Sequence, residues 1–187
     1  MTFTNVYRGR YYNFNAEQWC ERTILQANSQ WLTSVPNALS KLKKLTLLDL
    51  SGNNLTSLPP LGKMGNLQTL NIDNNQLTSL PNDIGYLKKL NPVLNLSYNR
   101  LTSLPESIGD LTQITSLDIS MNNTQSYASW DYRLNCAPYG TLALLPDTIV
   151  NLVNLTSFSA YCSGLELLPT DFGNLNQITK NLFSISC

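Results

Sequence analysis

The sequence predicts an α/β repeat solenoid, a curved rod with a parallel sheet on its concave side and short helical or 3₁₀ segments on its convex side. One pattern, LxxLxLxxNxLxxLP, recurs at intervals of 22 to 24 residues where there is no insertion, and a fixed period of this length is typical of stacked repeats. Within each period, leucines first alternate with polar residues and then recur at a helical spacing. A proline separates the two halves.

The first half of each period predicts a strand. In LTLLDLSGNNLTSLP, which begins at Leu45, Leu48 and Leu50 alternate with Asp49 and Ser51. Successive side chains of a strand point to opposite faces, so this pattern predicts one buried face and one polar face. Comparable segments begin at Leu67, Val93, Ile114 and Leu155.

An asparagine follows the strand segment in four of the repeats. These residues are Asn53, Asn75, Asn99 and Asn122. A side-chain amide both donates and accepts hydrogen bonds, so we expect each one to bond the backbone of neighbouring turns, as a structural ladder.

The second half of each period, PxxIGxLxxL, predicts a short helical or 3₁₀ segment. Pro81 ends the strand segment because proline cannot extend a strand ladder, and Ile84, Leu87 and Leu90 then form an apolar stripe. Each turn alone would expose its leucines, whereas stacked turns bury them in one continuous core.

This pattern resembles the leucine-rich-repeat family over roughly residues 22–181. The form LPxxIGxLxxLxxLxLxxNxL is most similar to the Ras-binding class, which includes plant intracellular Ras-group-related proteins, Ras-pathway scaffolds and similar bacterial repeats. The resemblance implies the solenoid fold and a role in protein recognition. A Ras-type partner would follow by analogy alone.

The repeats divide the chain into a cap and an array. Residues 1–21 are aromatic-rich and are expected to form an N-terminal cap over the open end of the core, although an aromatic binding site there is an alternative. Residues 22–187 comprise about six full turns and a partial seventh. The first turn is degenerate, with Gln30 in the asparagine place. One extra residue at 91–93 predicts a small bulge.

An insertion at about 123–141 interrupts the fifth turn. It contains Tyr127, Trp130, Tyr132 and Tyr139. Long irregular loops in compact arrays are usually functional or disordered, and tyrosine and tryptophan are enriched at binding hot spots. Packing of these aromatics on the sixth turn is the alternative, and both can hold together.

The four cysteines do not form a CxxC pair, so a zinc site is not expected. Cys136 and Cys162 lie in adjacent turns, where a bridge could form in an oxidising compartment. Their redox state is left open, with reduced thiols as the default. Cys20 and Cys187 lie at opposite ends of the predicted rod, beyond the roughly 7 Å limit for a bridge.

Composition argues against several function classes. Twelve basic and twelve acidic residues cancel, which gives no general reason to bind nucleic acid or an anionic membrane. The chain has no histidine, so histidine-dependent catalytic sites are excluded, and we expect neither an enzyme nor a metal or cofactor. No stretch approaches the roughly 20 apolar residues of a membrane helix, and the first residues do not resemble a signal peptide. We therefore expect no membrane insertion and a cytoplasmic chain.

The concave face is the predicted binding surface, and a protein is the predicted partner. We expect it to be polar, small and mildly acidic, and therefore to suit a basic or amide-rich partner. The hypothetical binding residues on this face and in the insertion are Asp49, Asn71, Asp73, Asn95, Tyr98, Asp118, Met121, Tyr127, Trp130, Tyr132 and Tyr161. A carbohydrate-binding role is the main alternative, because these side chains also suit sugars. Ice binding through the Thr-Ser pairs that begin at Thr33, Thr56, Thr78 and Thr102, or a purely structural role, are minor alternatives.

Overall fold

The computed structural model describes residues 2–7, 10–13, 21–122 and 140–183. It contains nine strands in the described residues: β1 (Thr2–Tyr7), β2 (Arg10–Asn13), β3 (Ile24–Gln26), β4 (Leu47–Asp49), β5 (Thr69–Asn71), β6 (Val93–Asn95), β7 (Ser116–Asp118), β8 (Ser157–Ala160) and β9 (Lys180–Phe183). Strands β1 and β2 form an antiparallel hairpin. The assignment of residues 1–21 as a cap remains a prediction.

Strands β3 to β9 are parallel and follow one another in sequence order. Each strand is short because only three or four residues of each period are extended, and in β3 to β7 the leucine at the centre of the strand is buried. Leu25 is aligned with Leu48 and Leu70, and Leu94 is aligned with Leu117 and Phe158. This arrangement is the concave sheet of the predicted curved solenoid.

The sheet is divided between β5 and β6 by Pro92. At the equivalent point of other turns, two successive backbone N–H groups donate to one carbonyl, as Thr115 and Ser116 do to Pro92. Pro92 has no N–H group, and Asn91 donates to the carbonyl of Gln68 instead, at 2.6 Å. The extra residue predicted at this point therefore coincides with a break in the strand ladder.

Five 3₁₀ helices lie in the convex halves of the described turns: η1 (Asn37–Lys41), η2 (Ile84–Tyr86), η3 (Glu106–Asp110), η4 (Asp147–Asn151) and η5 (Thr170–Asn174). The glycine of the IG pair allows neighbouring helices to stack closely. A Cβ atom on Gly85 would lie 2.3 Å from the carbonyl oxygen of Ser107, and one on Gly109 would lie 2.2 Å from that of Thr148. Val150 takes this position in η4, and a cleft of about 200 Å³ opens beside it.

The second turn has no 3₁₀ helix between β4 and β5. Its backbone is held by the following turn instead. The carboxylate of Asp83 accepts hydrogen bonds from the N–H groups of Leu61, at 3.0 Å, and Gly62, at 2.8 Å. One side chain therefore replaces the missing helical turn.

The core is a continuous column of leucine and isoleucine side chains between the sheet and the convex segments. Each turn contributes residues from both halves of its period, for example Leu48, Leu50 and Leu61 in the second turn. Burial of this kind contributes about 25 cal/mol for each Å² of apolar surface removed from water. Because each turn packs mainly on its neighbours, this stabilisation depends on the stack as a whole.

Candidate functional site on the concave face

The strand register arranges the polar side chains in rows along the rod. The central row consists of Gln26, Asp49, Asn71, Asn95, Asp118 and Ser159. The second row, two residues further along each turn, consists of Asn28, Ser51, Asp73, Ser97, Ser120 and Tyr161. Across the break at Pro92, the rows stay aligned because the N–H of Asn74 donates to the carbonyl of Ser97 at 3.0 Å.

The central row is held in place by bonds to the second row. One carboxylate oxygen of Asp49 accepts from the N–H and the hydroxyl of Ser51, at 3.0 and 2.7 Å. Asn95 accepts in the same way from Ser97, and Asp118 accepts from the N–H of Ser120. These short local bonds fix the side-chain directions, so the face presents a preorganised set of polar groups.

The face is acidic at its centre. Burial raises the pKa of the Asp73 carboxyl above its ordinary value of 3.8, and the negative charges of Asp49 and Asp118 raise it further, against a backbone hydrogen bond that lowers it. The central and second rows of the described turns contain no lysine or arginine. The carboxylates therefore lack a basic neighbour within these rows.

A third row has an unusual backbone. Its members are Ser29, Gly52, Asn74, Tyr98, Met121 and Cys162, and each has a positive φ between 53° and 65°. This left-handed conformation costs a residue with a side chain about 1 kcal/mol or more. The row has a fixed place in the sequence pattern, but only Gly52 and Asn74 are residue types that favour this conformation. Tyr98 and Met121, both predicted binding residues, thus occupy positions where glycine or asparagine would be less strained.

The sixth turn differs from the others at this face. Tyr161 is 39% exposed and follows a pair of serine hydroxyls, Ser120 and Ser159, whose oxygens are 2.6 Å apart. Cys162 beside it is buried and disulfide-bonded. The default of reduced thiols therefore does not hold for Cys162, and the other three cysteines lie outside the described residues.

An apolar row on the same face was missed by the sequence reasoning. Ile24 is aligned with Leu47, and both precede central-row residues by two positions. Val93 has the same position in the fourth turn and is 63% exposed, while Ile24 is 52% exposed. Thr69 and Ser116 take this position in the third and fifth turns, so the row is apolar at three of its first five positions. The sequence contained this signal. Leu47 precedes Asp49 by two residues, so the alternation of a strand places both side chains on the same, polar face.

The asparagines lie behind the rows and join consecutive turns. Asn75 accepts a hydrogen bond from the N–H of Leu55, at 3.1 Å, and donates to the carbonyl oxygens of Leu50 and Ile72. Asn53, Asn99 and Asn122 make equivalent bonds. Donor and acceptor on one side chain thus satisfy buried backbone groups of two turns.

Ser163 replaces the asparagine in the sixth turn, and the backbone compensates. Among the described residues, its hydroxyl donates to the carbonyl of Ala160 alone, and its own carbonyl accepts from the N–H of Leu142 at 3.0 Å. The chain approaches so closely that a Cβ atom on Gly140 would lie 2.1 Å from the Cα atom of Gly164. Two glycines therefore permit the turn to close without the amide.

Three of the predicted binding residues belong to the aromatic insertion. Tyr127, Trp130 and Tyr132 lie outside the described residues, so their role stays a prediction. The remaining predicted binding residues, Asp49, Asn71, Asp73, Asn95, Tyr98, Asp118, Met121 and Tyr161, belong to the three rows on and beside the strands.

Family comparisons agree with this architecture. A leucine-rich-repeat model of several repeats matches residues 63–123, and a single-repeat model matches residues 44–64. The chain carries leucine-rich repeats. The match does not distinguish classes of leucine-rich repeat, so the similarity to the Ras-binding class remains a prediction.

Solved leucine-rich-repeat structures have the same fold. A leucine-rich-repeat protein of Leptospira interrogans is 29% identical, with a TM-score of 0.56 over 86% of this chain and 42% of its own. The functional domain of InlJ from Listeria monocytogenes, which includes a cysteine ladder, is 24% identical, with a TM-score of 0.50 over 90% of this chain and 40% of its own. This chain therefore spans about two fifths of each. No curated protein matches the sequence significantly.

Two further observations concern the described residues alone. None of their helices has the length and apolar character needed to cross a membrane. Their histidine, cysteine, aspartate and glutamate side chains nowhere form a group of three that could hold a metal ion.

Proposed function

We propose that this chain is a protein-interaction module that binds its partner on the concave face. The observation that carries the proposal is the strand register, which brings acidic and aromatic side chains from separate turns onto one surface. Leucine-rich-repeat solenoids in general present such extended concave surfaces to partners.

The chemistry of the surface favours recognition by direct contact. Tyr98 and Tyr161 are 37% and 39% exposed, and tyrosine supplies a large apolar ring with a polar hydroxyl, which suits interface hot spots. Asp118 lies between them along the rod. Its carboxylate is oriented by Ser120, so little side-chain entropy remains to be lost on binding.

Affinity capture with mass spectrometry tests the proposal. We expect the intact chain to retain a specific protein that the triple variant Tyr98→Ala, Asp118→Ala, Tyr161→Ala loses. The matched control carries Tyr86→Ala and Glu106→Ala, two exposed residues of the convex helices. Circular dichroism checks that all variants fold. Equal recovery by both variants would overturn the concave-face proposal.

A second variant tests the insertion. Replacement of residues 125–139 by a short Gly-Ser turn should reduce capture if the insertion contributes to the interface, as its composition predicts. Unchanged capture would restrict the binding surface to the repeats. Absence of any captured protein would argue against a protein partner, and a glycan array would then test the carbohydrate alternative.

A further inference from the structure

The concave face combines an exposed apolar row with carboxylates that have no basic neighbour in the central and second rows of the described turns. Ile24 and Val93 are more than half exposed, and Leu47 is half-buried beside Ile24. Exposed β-branched residues on a sheet face lose contact with water only when another surface covers them. The side of the concave face that carries the apolar row therefore favours a partner that has an apolar stripe of its own.

The acidic residues lie next to this row. Asp49 and Asp118 each use one carboxylate oxygen for the serine two residues later, and their second oxygens have no hydrogen bond within the described residues. Asp73 is half-buried and close enough for its charge to interact with both. Lysine or arginine side chains from a partner would neutralise this repulsion, so charge complementarity favours a basic occupant.

The spacing of the rows favours a helix over an extended segment. Neighbouring strands lie about 4.8 Å apart, and a helix rises about 5.4 Å per turn, so a helix along the rod presents one side chain per strand over several turns. An extended segment repeats a face about every 6.7 Å, which falls out of step after one strand. The apolar and central rows are also about 6.7 Å apart, a distance that neighbouring stripes of one helix can cover.

We propose that the concave face binds a basic amphipathic helix that lies along the rod over the first five turns. Its apolar stripe covers Ile24, Leu47 and Val93, which share their row with Thr69 in the third turn and Ser116 in the fifth. Its lysine or arginine side chains lie against Asp49, Asp73 and Asp118. This inference rests on the proposed function and specifies the class of partner.

Fluorescence anisotropy with a designed peptide tests the inference on the full chain. The probe is a fluorescein-labelled amphipathic peptide of about 18 residues, about 27 Å long as a helix, with a leucine stripe beside a lysine stripe. Two control peptides have the same composition in scrambled order, or glutamate in place of lysine. We expect binding of the striped peptide alone, weakening as salt is added because the charges are screened.

Two triple variants locate the site. Asp49→Asn, Asp73→Asn, Asp118→Asn should raise the dissociation constant at least about tenfold, because close charge pairs across an interface are lost. The control Glu106→Gln, Asp147→Asn, Asp171→Asn changes the net charge equally on the convex side and should have little effect. Ile24→Ser with Val93→Ser should weaken binding while leaving the circular dichroism spectrum unchanged, since both side chains are already largely exposed.

Each alternative outcome overturns the helical form of the partner, the concave position of the site or the proposed function. Equal binding of the scrambled peptide would overturn the helix, and equal loss in the convex control would overturn the concave position. If no peptide binds but capture of the natural partner still depends on Tyr98, Asp118 and Tyr161, the helix inference fails and the proposed function stands. If capture does not depend on those residues, the proposed function fails as well.

Discussion

The side-chain oxygen of Asn99 accepts a 3.0 Å hydrogen bond from the backbone N–H of Leu77 in the preceding turn. Its amide nitrogen donates to the carbonyl oxygens of Ile72, Leu96 and Ser97. One fully buried side chain thus satisfies backbone groups of two consecutive turns, and these groups are inaccessible to water.

Asn99→Ala should therefore destabilise the fold strongly. Each buried group left without a partner costs about 1–3 kcal/mol, so a total of several kcal/mol is expected in urea unfolding. Asn71→Ala is the matched control, because Asn71 lies at the half-buried surface of β5 without a side-chain hydrogen bond in the described residues. Equal free energies of unfolding for the two variants would contradict the ladder role of Asn99.

Alanine at Gly140 or Gly164 should also be poorly tolerated. The added Cβ would lie 2.1 Å from the Cα of Gly164 in the first case, and 2.4 Å from the carbonyl carbon of Gly140 in the second. Overpacking typically costs about 1–3 kcal/mol, and Gly164 also has a positive φ of 85°. Gly65→Ala and Gly173→Ala are controls with no atom within 4 Å of the new Cβ. A melting temperature unchanged in Gly140→Ala would show that the two turns separate readily.

Asp73→Asn should stabilise the free protein at pH 7. The folded pKa of Asp73 is raised by burial and by Asp49 and Asp118, so the charged form is disfavoured in the folded state. The free energy of unfolding therefore falls as the pH rises from the ordinary value through the raised folded pKa. The advantage of the Asp73→Asn variant should be present above the folded pKa and disappear as the pH falls below it.

Chemical denaturation at pH 7 and at about pH 3.5 checks this dependence, because the second pH lies below the raised folded pKa. Asp110→Asn serves as the control, since Asp110 lies on the exposed convex side. A loss of stability in Asp73→Asn at pH 7 would mean that the carboxylate has a favourable partner. A variant that is more stable yet binds its partner less well would mark Asp73 as a binding residue.

Cys162 should be found in a cross-linked peptide when the unreduced chain is alkylated, digested and analysed by mass spectrometry. Cys136 is the candidate for the other half, because the sequence places the two cysteines in adjacent turns, where a bridge could form. Cys162→Ser should cost about 2–4 kcal/mol relative to the oxidised chain. Alkylation of Cys162 without reduction would contradict the bridge. If the disulfide is also present in protein isolated from its natural source, the chain occupies an oxidising compartment instead of the expected cytoplasm.

The solenoid and its buried face were predictable because they depend on spacing alone. Leu48, Leu50 and Asn53 recur at fixed intervals, and a strand with alternating polarity has only one way to bury its leucines. Leu47 occupies a variable position of the LxxLxL pattern, two residues before Asp49, and its position on the concave face follows from the same alternation.

Other features, such as backbone conformation and close approaches, depend on contacts between turns. The sequence of a single repeat therefore does not predict them. The positive φ of Tyr98 and Met121 has no signal in those residue types. The close approach of Gly140 to Gly164 joins a residue of the fifth turn to one of the sixth. Only the stacked structure shows which carbonyl approaches Gly85.

The missing N–H of Pro92 has a consequence for how the array unfolds. In a stack stabilised mainly by nearest neighbours, local opening begins where coupling between adjacent units is weakest. The junction between β5 and β6 is the one place between consecutive described strands of the array where the two strands are not paired in one sheet, and the side chain of Asn99 still joins the two turns there. Native-state hydrogen exchange should then resolve two cooperative blocks, with the amides of β3 to β5 and those of β6 to β8 exchanging through separate opening events.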